Sequence, residues 1–64
     1  MITFFEAQML RYAAADAETK RASKEHWLQV YADNINSGSD TLLSARVLAN
    51  MALVDSGKYE IMIQ

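Results

Sequence analysis

The chain contains no cysteine and no proline, and its 64 residues include one histidine and two glycines. Without cysteine it can form no disulfide, the usual support for a small domain whose core is thin. The one histidine, His26, together with scattered carboxylates cannot supply the four nitrogen or sulfur ligands of a structural zinc site. We therefore expect no metal, and we expect stability to come from dense helix packing or from self-association.

The same scarcity removes the common catalytic motifs. A hydrolytic triad would need His26 beside a serine, yet no strand-turn-helix elbow of the Gly-x-Ser-x-Gly kind occurs. Phosphate loops need several glycines near a helix start, whereas Gly38 and Gly57 are far apart. Carboxylate pairs such as Asp33 with Asp40 fall where exposed faces and caps are expected, and acid–base catalysis would need an enclosing pocket. We predict a protein that is not an enzyme, without catalytic residues or cofactors.

The charge balance argues against nucleic acid as the partner. Six basic and eight acidic residues give a net charge of −2, which provides no general attraction for phosphate. The densest basic cluster is formed by Lys20, Arg21 and Lys24, but acidic residues lie among them. Asp16 with Lys20 and Glu18 with Arg21 have the spacing of stabilising pairs on one helix face. We interpret this cluster as a solvated helix face.

No segment is predicted to enter a membrane or to direct export. The longest apolar stretch, Leu42 to Val54, contains Arg46 and is shorter than the roughly 20 residues of a spanning helix. The stretch from Met1 to Leu10 has no basic start and carries Glu6. We expect the protein to stay in the cytoplasm, where the absence of cysteine fits a reducing environment.

The first structural element is predicted from its start signal. Thr3 and Glu6 have the spacing of a capping box, so a helix should begin near Phe4. No glycine or proline follows until Gly38, and the alanine-rich middle favours helix. Helix is therefore predicted over residues 4–35.

Whether this segment is one helix or two depends on its polar middle. Two apolar clusters with helical spacing are separated by Asp16, Thr19 and Ser23. Either one long or gently kinked helix runs through, or the chain breaks near Thr19 to Ser23, with Ser23 capping a second helix and Glu25 in its first turn. The alanine-rich centre has no strong stop signal, which favours the single helix.

The clearest break is the turn-rich run over residues 36–40. Gly38 can adopt the positive φ that ends a helix, because it has no Cβ. Ser39 or Asp40 can then cap a further helix, predicted over residues 41–55.

That further helix is apolar around most of its circumference. Only Ser44, Arg46 and Asn50 interrupt its apolar residues. Such a helix is normally buried on more than one side, whereas one antiparallel partner covers a single side. Either the kinked first half wraps it completely, or a second copy or another protein covers the remainder. We expect the second arrangement, with dimerisation.

The last segment, residues 58–64, changes its period. Tyr59, Ile61 and Ile63 alternate with their neighbours, as in a short strand rather than a helix. The alternatives for it are pairing with its copy in a second chain, pairing with Met1 to Phe5, addition to a partner's sheet, or docking as an extended or helical end. We predict an extended tail.

The adjacent His26 and Trp27 are the most distinctive local feature. Tryptophan is enriched among residues that dominate binding energy, yet it is also the residue expected at the centre of a small core. The same choice applies to Phe4, Phe5, Tyr12 and Tyr31, and at helical spacing the core is favoured. For these aromatic residues core and interface both remain open.

A DNA-binding alternative follows from the outline of residues 25–55, which resembles a helix-turn-helix in order and length. The second helix of that motif presents polar and basic side chains to the major groove. Here it offers Arg46 alone, so the outline better describes a helical hairpin. A small DNA-binding or transcription-regulating protein is therefore the alternative function.

The predicted fold is an all-α antiparallel helical hairpin, in which a long or kinked N-terminal helix packs on the apolar second helix and a short extended tail follows. It forms one domain over residues 1–64 and dimerises. The predicted function is a non-enzymatic protein–protein interaction module, a small adaptor, assembly factor or inhibitor that binds itself, a larger protein, or both. The predicted interface residues are Phe5, Met9, Tyr12, Trp27, Tyr31, Leu43, Val47, Leu48, Met51, Tyr59 and Ile61.

Overall fold

The computed structural model describes residues 3–58, which form three helices and, within that range, no strand. These are α1 (Phe4–Ala14), α2 (Ala17–Ser37) and α3 (Leu42–Asp55). The all-α prediction is confirmed, but the helices number three where the predicted hairpin has two. Of the predicted tail, residues 59–64 lie outside the described residues.

Helix α1 begins where the capping signal predicted. The Thr3 hydroxyl accepts a hydrogen bond from the backbone N–H of Glu6 at 3.1 Å, which satisfies one of the donors that a helix start leaves free. The Glu6 carboxylate also lies in the first turn, where the helix dipole favours negative charge.

The predicted single helix over residues 4–35 is wrong, because the chain breaks at Ala15 and Asp16. Both residues are extended, with ψ angles of 155° and 172°. The Asp16 carboxylate accepts from the N–H of Thr19 at 2.8 Å and so caps α2. The alternative of two helices is correct, but the break lies before Thr19 to Ser23, and Asp16 serves as a cap rather than as a surface partner of Lys20.

Helix α2 ends at the glycine that the sequence indicated. Gly38 has a φ of 73°, and its N–H donates to Ile35 O while the N–H of Ser39 donates to Asn34 O. This pair of bonds is the Schellman motif, which satisfies carbonyls at a helix end. The turn was predicted over residues 36–40, but it starts two residues later, at Gly38, since α2 continues to Ser37.

Helix α3 also matches its predicted limits closely. Its N-cap is Thr41, one residue after the predicted Ser39 or Asp40, and the Thr41 side chain makes no capping bond. The Asp40 carboxylate instead accepts from the N–H of Leu42 at 2.8 Å. At the other end Gly57, with a φ of 79°, repeats the Schellman pattern, because its N–H donates to Val54 O and that of Lys58 to Leu53 O.

Helix α3 is the centre of the fold, since both other helices pack mainly against it. It is antiparallel to α2, because Lys24 lies by Asp55 and Asn34 by Ser44. It is parallel to α1, because Phe5 lies by Arg46 and Tyr12 by Asp55. The chain thus runs up, down and up.

The hydrophobic core is thin and belongs to α1 and α3. Tyr12, Val47 and Met51 form its centre, and Met9 is buried as well. Helix α2 has no buried residue along its 21 positions and contributes partly covered side chains such as Trp27. The remaining side chains against the core are Phe5, Leu48 and Val54.

Two polar residues of α3 face inward. Ser44 is fully buried, accepts from the Asn34 amide and donates to Thr41 O. Asn50 is 3% exposed, and its Oδ1 has no hydrogen-bond partner among the described residues. A buried acceptor without a partner lowers stability, because it has lost water and gained nothing in exchange.

Replacing Gly38 with alanine should lower the unfolding free energy by about 1–2 kcal/mol, because a Cβ disfavours the positive φ. Nothing lies within 4 Å of the added carbon, so the loss comes from the backbone alone. Urea denaturation measures it. Asparagine tolerates this conformation better, so Gly38→Asn should cost less; equal losses for both variants would contradict the backbone explanation.

Replacing Asn50 with leucine, which has the same branched shape, should raise the unfolding free energy by about 1 kcal/mol, because the unpaired acceptor is removed. The isosteric Asn50→Asp places a charge at the same buried point and should lower it. Thermal melts at neutral pH compare the three proteins. A less stable leucine variant beside an unaffected aspartate variant would show that the site is not buried and unpaired.

Candidate functional site

One polar cluster joins all three helices at the carboxylate of Asp55. The Tyr12 hydroxyl of α1 donates to both carboxylate oxygens, at 3.0 and 3.2 Å. The Lys24 ammonium of α2 donates to one of them and forms an ion pair with it. Lys20 lies over the face of the Tyr12 ring, 5.7 Å from its centroid.

The pKa values of the three groups in this cluster are shifted in the directions that stabilise their hydrogen bonds. The hydrogen bond from Lys24 is the main reason that the pKa of Asp55 lies below its usual value. The same bond is the main reason that the pKa of Lys24 is raised. The pKa of Tyr12 is raised first by burial and then by its bond to Asp55. All three groups therefore favour the paired forms at neutral pH.

An open groove lies between α2 and α3 beside this cluster. It has a volume of about 400 Å³ and a mostly apolar lining. Its apolar walls are Leu28, Leu48 and Ala52, and Leu28 is about half exposed. The lining residues are Lys24, Leu28, Leu48, Ala52, Asp55 and Ser56.

The side of α3 that faces away from the core is apolar, and the exposed Arg46 lies at its margin. At 3.6 residues per turn five of its residues fall within about 100° of arc. We call these five the outer face of α3: Leu42, Ala45, Ala49, Ala52 and Leu53. Leu42 is 68% exposed, and Ala49 and Ala52 are exposed as well.

A band of aromatic side chains lies at the start of α1 and reaches Arg46 of α3. Phe4 contacts Phe5 and Trp27 edge to face, with ring centroids 5.5 and 6.4 Å apart. His26 contacts Trp27 in the same manner at 5.6 Å, and the Arg46 guanidinium lies over the Phe5 ring at 4.5 Å. We call these five residues the aromatic band.

The predicted interface residues divide into core and surface. Met9, Tyr12, Val47 and Met51 are at most 4% exposed, so within one chain they are core residues and not available to a partner.

Others remain reachable. Phe5, Trp27, Tyr31 and Leu48 are partly covered, and Leu43 is 48% exposed. The last two predicted positions, Tyr59 and Ile61, lie outside the described residues. The structure thus brings Phe5 and Trp27 into the aromatic band, while Leu48 lines the groove.

Several candidate residues were not predicted from the sequence. Asp55 joins the helices, although it was read only as the end of the last helix, and no local pattern links it to Tyr12. Leu28 and Leu42 are exposed although apolar. Arg46 was considered only as a contact to DNA, whereas its guanidinium lies over the Phe5 ring.

The second helix of the helix-turn-helix outline, α3, does not present a polar surface to solvent. The side of α3 that faces solvent consists of leucine and alanine, with Arg46 at its margin. A recognition helix would present polar side chains there.

No protein-family model matches the chain, and no curated protein or solved structure is significantly similar to it. Among residues 3–58, no three histidine or acidic side chains come together in an arrangement able to hold a metal ion. None of the helices in that part of the chain is long and apolar enough to cross a membrane. The groove, the outer face of α3 and the aromatic band are therefore the features from which we argue function.

The Asp55 cluster predicts how stability depends on pH. The lowered pKa of Asp55 contributes stability above the unfolded value of about 3.9, and this is lost as pH falls through the native value. The raised pKa values of Lys24 and Tyr12 contribute below about 10 and are lost as pH rises through theirs. Unfolding free energy, measured by urea denaturation, should be highest between about pH 5 and pH 9.

The variant Asp55→Asn tests this assignment. It should weaken both the acidic and the alkaline decline, because the shifts of all three groups involve Asp55. Asp33→Asn, on the exposed side of α2, is the matched control and should retain both declines. A wild-type acidic decline in the Asp55 variant would refute the assignment.

Proposed function

We propose that this protein is a non-enzymatic protein–protein interaction module that self-associates through the outer face of α3. In this role it acts as a small adaptor, assembly factor or inhibitor in the cytoplasm. The absence of cysteine supports a reducing compartment. The outer face is the single observation that carries the proposal.

Position and composition together make the outer face suitable for another helix. Three of its five residues are alanines, whose short side chains allow a helix to approach closely. No charged side chain lies within it, so its burial would leave no ion without water. A helix of a lone domain normally carries polar residues on its exposed side.

The thin core is a second support. Folding of a chain of this length removes only about 60% of the surface exposed by the unfolded chain, and small domains commonly gain stability by association. Here α2 has no buried residue, and leucines of α2 and α3 remain exposed. Association would cover apolar area that a single chain leaves in water.

A second copy suits this face because one patch can serve both partners. In a two-fold dimer the same surface packs on itself, so it must be self-complementary. A charge-free strip of small and medium apolar side chains meets that condition without repulsion. The net charge of −2 per chain is too small to oppose association at physiological ionic strength.

Sedimentation velocity over a dilution series tests the proposal. The wild-type protein should be dimeric at high concentration and dissociate on dilution. Ala49→Glu places a charge at the centre of the outer face and should weaken the dimer at least tenfold, while glutamate keeps the helix intact. Ala22→Glu, on the exposed side of α2, is the matched control and should associate as wild type does.

A folded wild-type monomer at all concentrations would contradict self-association. Equal dissociation of the Ala49 and Ala22 variants would contradict the placement on the outer face. Far-UV circular dichroism of each variant separates loss of association from loss of fold.

A further inference from the structure

We propose that the aromatic band is a second interaction surface, which binds an acidic segment of a partner protein through Arg46 and an adjoining apolar side chain of that segment through Phe4 and Trp27. This inference deepens the proposed role in protein binding. Arg46 borders the outer face of α3, one turn from Leu42 and Ala49, so the two proposals are tested by separate variants.

The Arg46 guanidinium is held in a position suited to a carboxylate. Its central carbon lies 4.5 Å from the centroid of the Phe5 ring, which is cation–π distance. The guanidinium is planar, and its N–H donors have a fork geometry that matches the two oxygens of a carboxylate.

No carboxylate of the described chain occupies that position. Among residues 3–58, Lys24 with Asp55 is the ion pair that forms, and it lies at the other end of α3, two and a half turns away from Arg46. Arg46 is exposed, so its donors face solvent. A carboxylate from outside can therefore reach it without displacing a partner among residues 3–58.

The aromatic residues beside Arg46 provide the apolar half of the surface. Phe4 is 51% exposed although it contacts both Phe5 and Trp27, so a large part of its ring remains open. Tryptophan and arginine are enriched among the residues that dominate binding energy, and here both adjoin exposed aromatic surface. A partner residue such as leucine or phenylalanine would cover that ring.

The chemistry of the band favours an acidic peptide over the alternatives. A basic segment would meet the charge of Arg46. A nucleic acid would need several phosphate contacts, whereas the band offers one permanent cation and the whole chain is net negative. The net charge also means that no long-range attraction assists an acidic partner, so affinity must come from direct contact.

Trp27 is the only tryptophan in the chain, and its fluorescence therefore reports occupation of the band directly. The probe is an eight-residue peptide in which glutamate alternates with leucine. Its partner probe carries glutamine in place of each glutamate. The acidic peptide should give a saturable change in Trp27 fluorescence, with at least tenfold higher affinity than the glutamine peptide.

Variants of the exposed band residues locate the site. Arg46→Gln should weaken the acidic peptide at least tenfold, and Phe4→Ala should weaken both peptides, because it removes the apolar contact. Arg46→Lys keeps a charge but loses the planar fork, so its loss should be intermediate. The matched control is Arg21→Gln, an exposed arginine of α2 outside the band, which should bind as wild type does.

Equal affinity for the two peptides, or unchanged binding by the Arg46→Gln variant, would overturn the proposal. Tighter binding of a single-stranded RNA octamer than of the acidic peptide would overturn the partner class. The variant Ala52→Glu also places a charge on the outer face of α3, but six residues from Arg46 and on another side of the helix, so it should bind the peptide normally even where it no longer dimerises. Failure of peptide binding in a protein that still dimerises would refute the band alone.

Discussion

The hydrogen bonds at the carboxylate of Asp55 join all three helices and set how their ends lie beside the core. The carboxylate receives Tyr12 from α1 and Lys24 from α2 at the last turn of α3. Lys24 and Asp55 are 42% and 37% exposed, so the ion pair contributes about 0–1 kcal/mol, as surface pairs do. It therefore refines the register of the helix ends and adds little to the free energy of folding. The favourable energy of folding comes instead from the burial of Tyr12, Val47 and Met51 beside it.

The two outer helices use α3 very differently. Helix α1 buries Met9 and Tyr12 against it, whereas α2 places no side chain fully inside. Most apolar contact of α2 comes from half-covered residues, and Leu28 and Ile35 remain more than half exposed. Because α2 contacts α3 only through partly covered side chains, an open groove remains between the two helices. Apolar side chains such as Leu28 therefore stay exposed in the folded chain.

The elements with local signals were predictable from the sequence. Thr3 and Gly38 act within a turn of their own positions, and each does what its spacing or conformational freedom indicated. The break at Asp16 was missed because an aspartate after three alanines also fits an exposed helix face. Only the hydrogen bond from the N–H of Thr19, in the first turn of α2, distinguishes a cap from a surface pair.

The orientation of α3 was beyond reach for a different reason. Nearly every position of α3 is apolar, so the sequence pattern does not indicate which side of the helix is buried. The polar residues were therefore taken as interruptions of the buried surface. In the fold Ser44 and Asn50 point inward, whereas Leu42 and Leu43 point outward. The Ser44 hydroxyl is satisfied in this position because it accepts from Asn34 of α2 and donates to the carbonyl of Thr41, just before α3. The surfaces were similarly hidden, because the aromatic band combines residues from three helices.

The apolar outer face of α3 also bears on how the sequence of this helix can change over time. On a solvated helix an outward alanine or leucine drifts readily to lysine or glutamate, because nothing opposes a polar side chain there. A face that another protein covers does not drift in this way, and its alanines stay small and uncharged. In the proposed dimer the outward alanines of α3 would be held small by the partner, whereas the inward Asn50, with its unpaired acceptor, could change to leucine without loss of stability. The outer side of such a helix would then evolve more slowly than part of its own core.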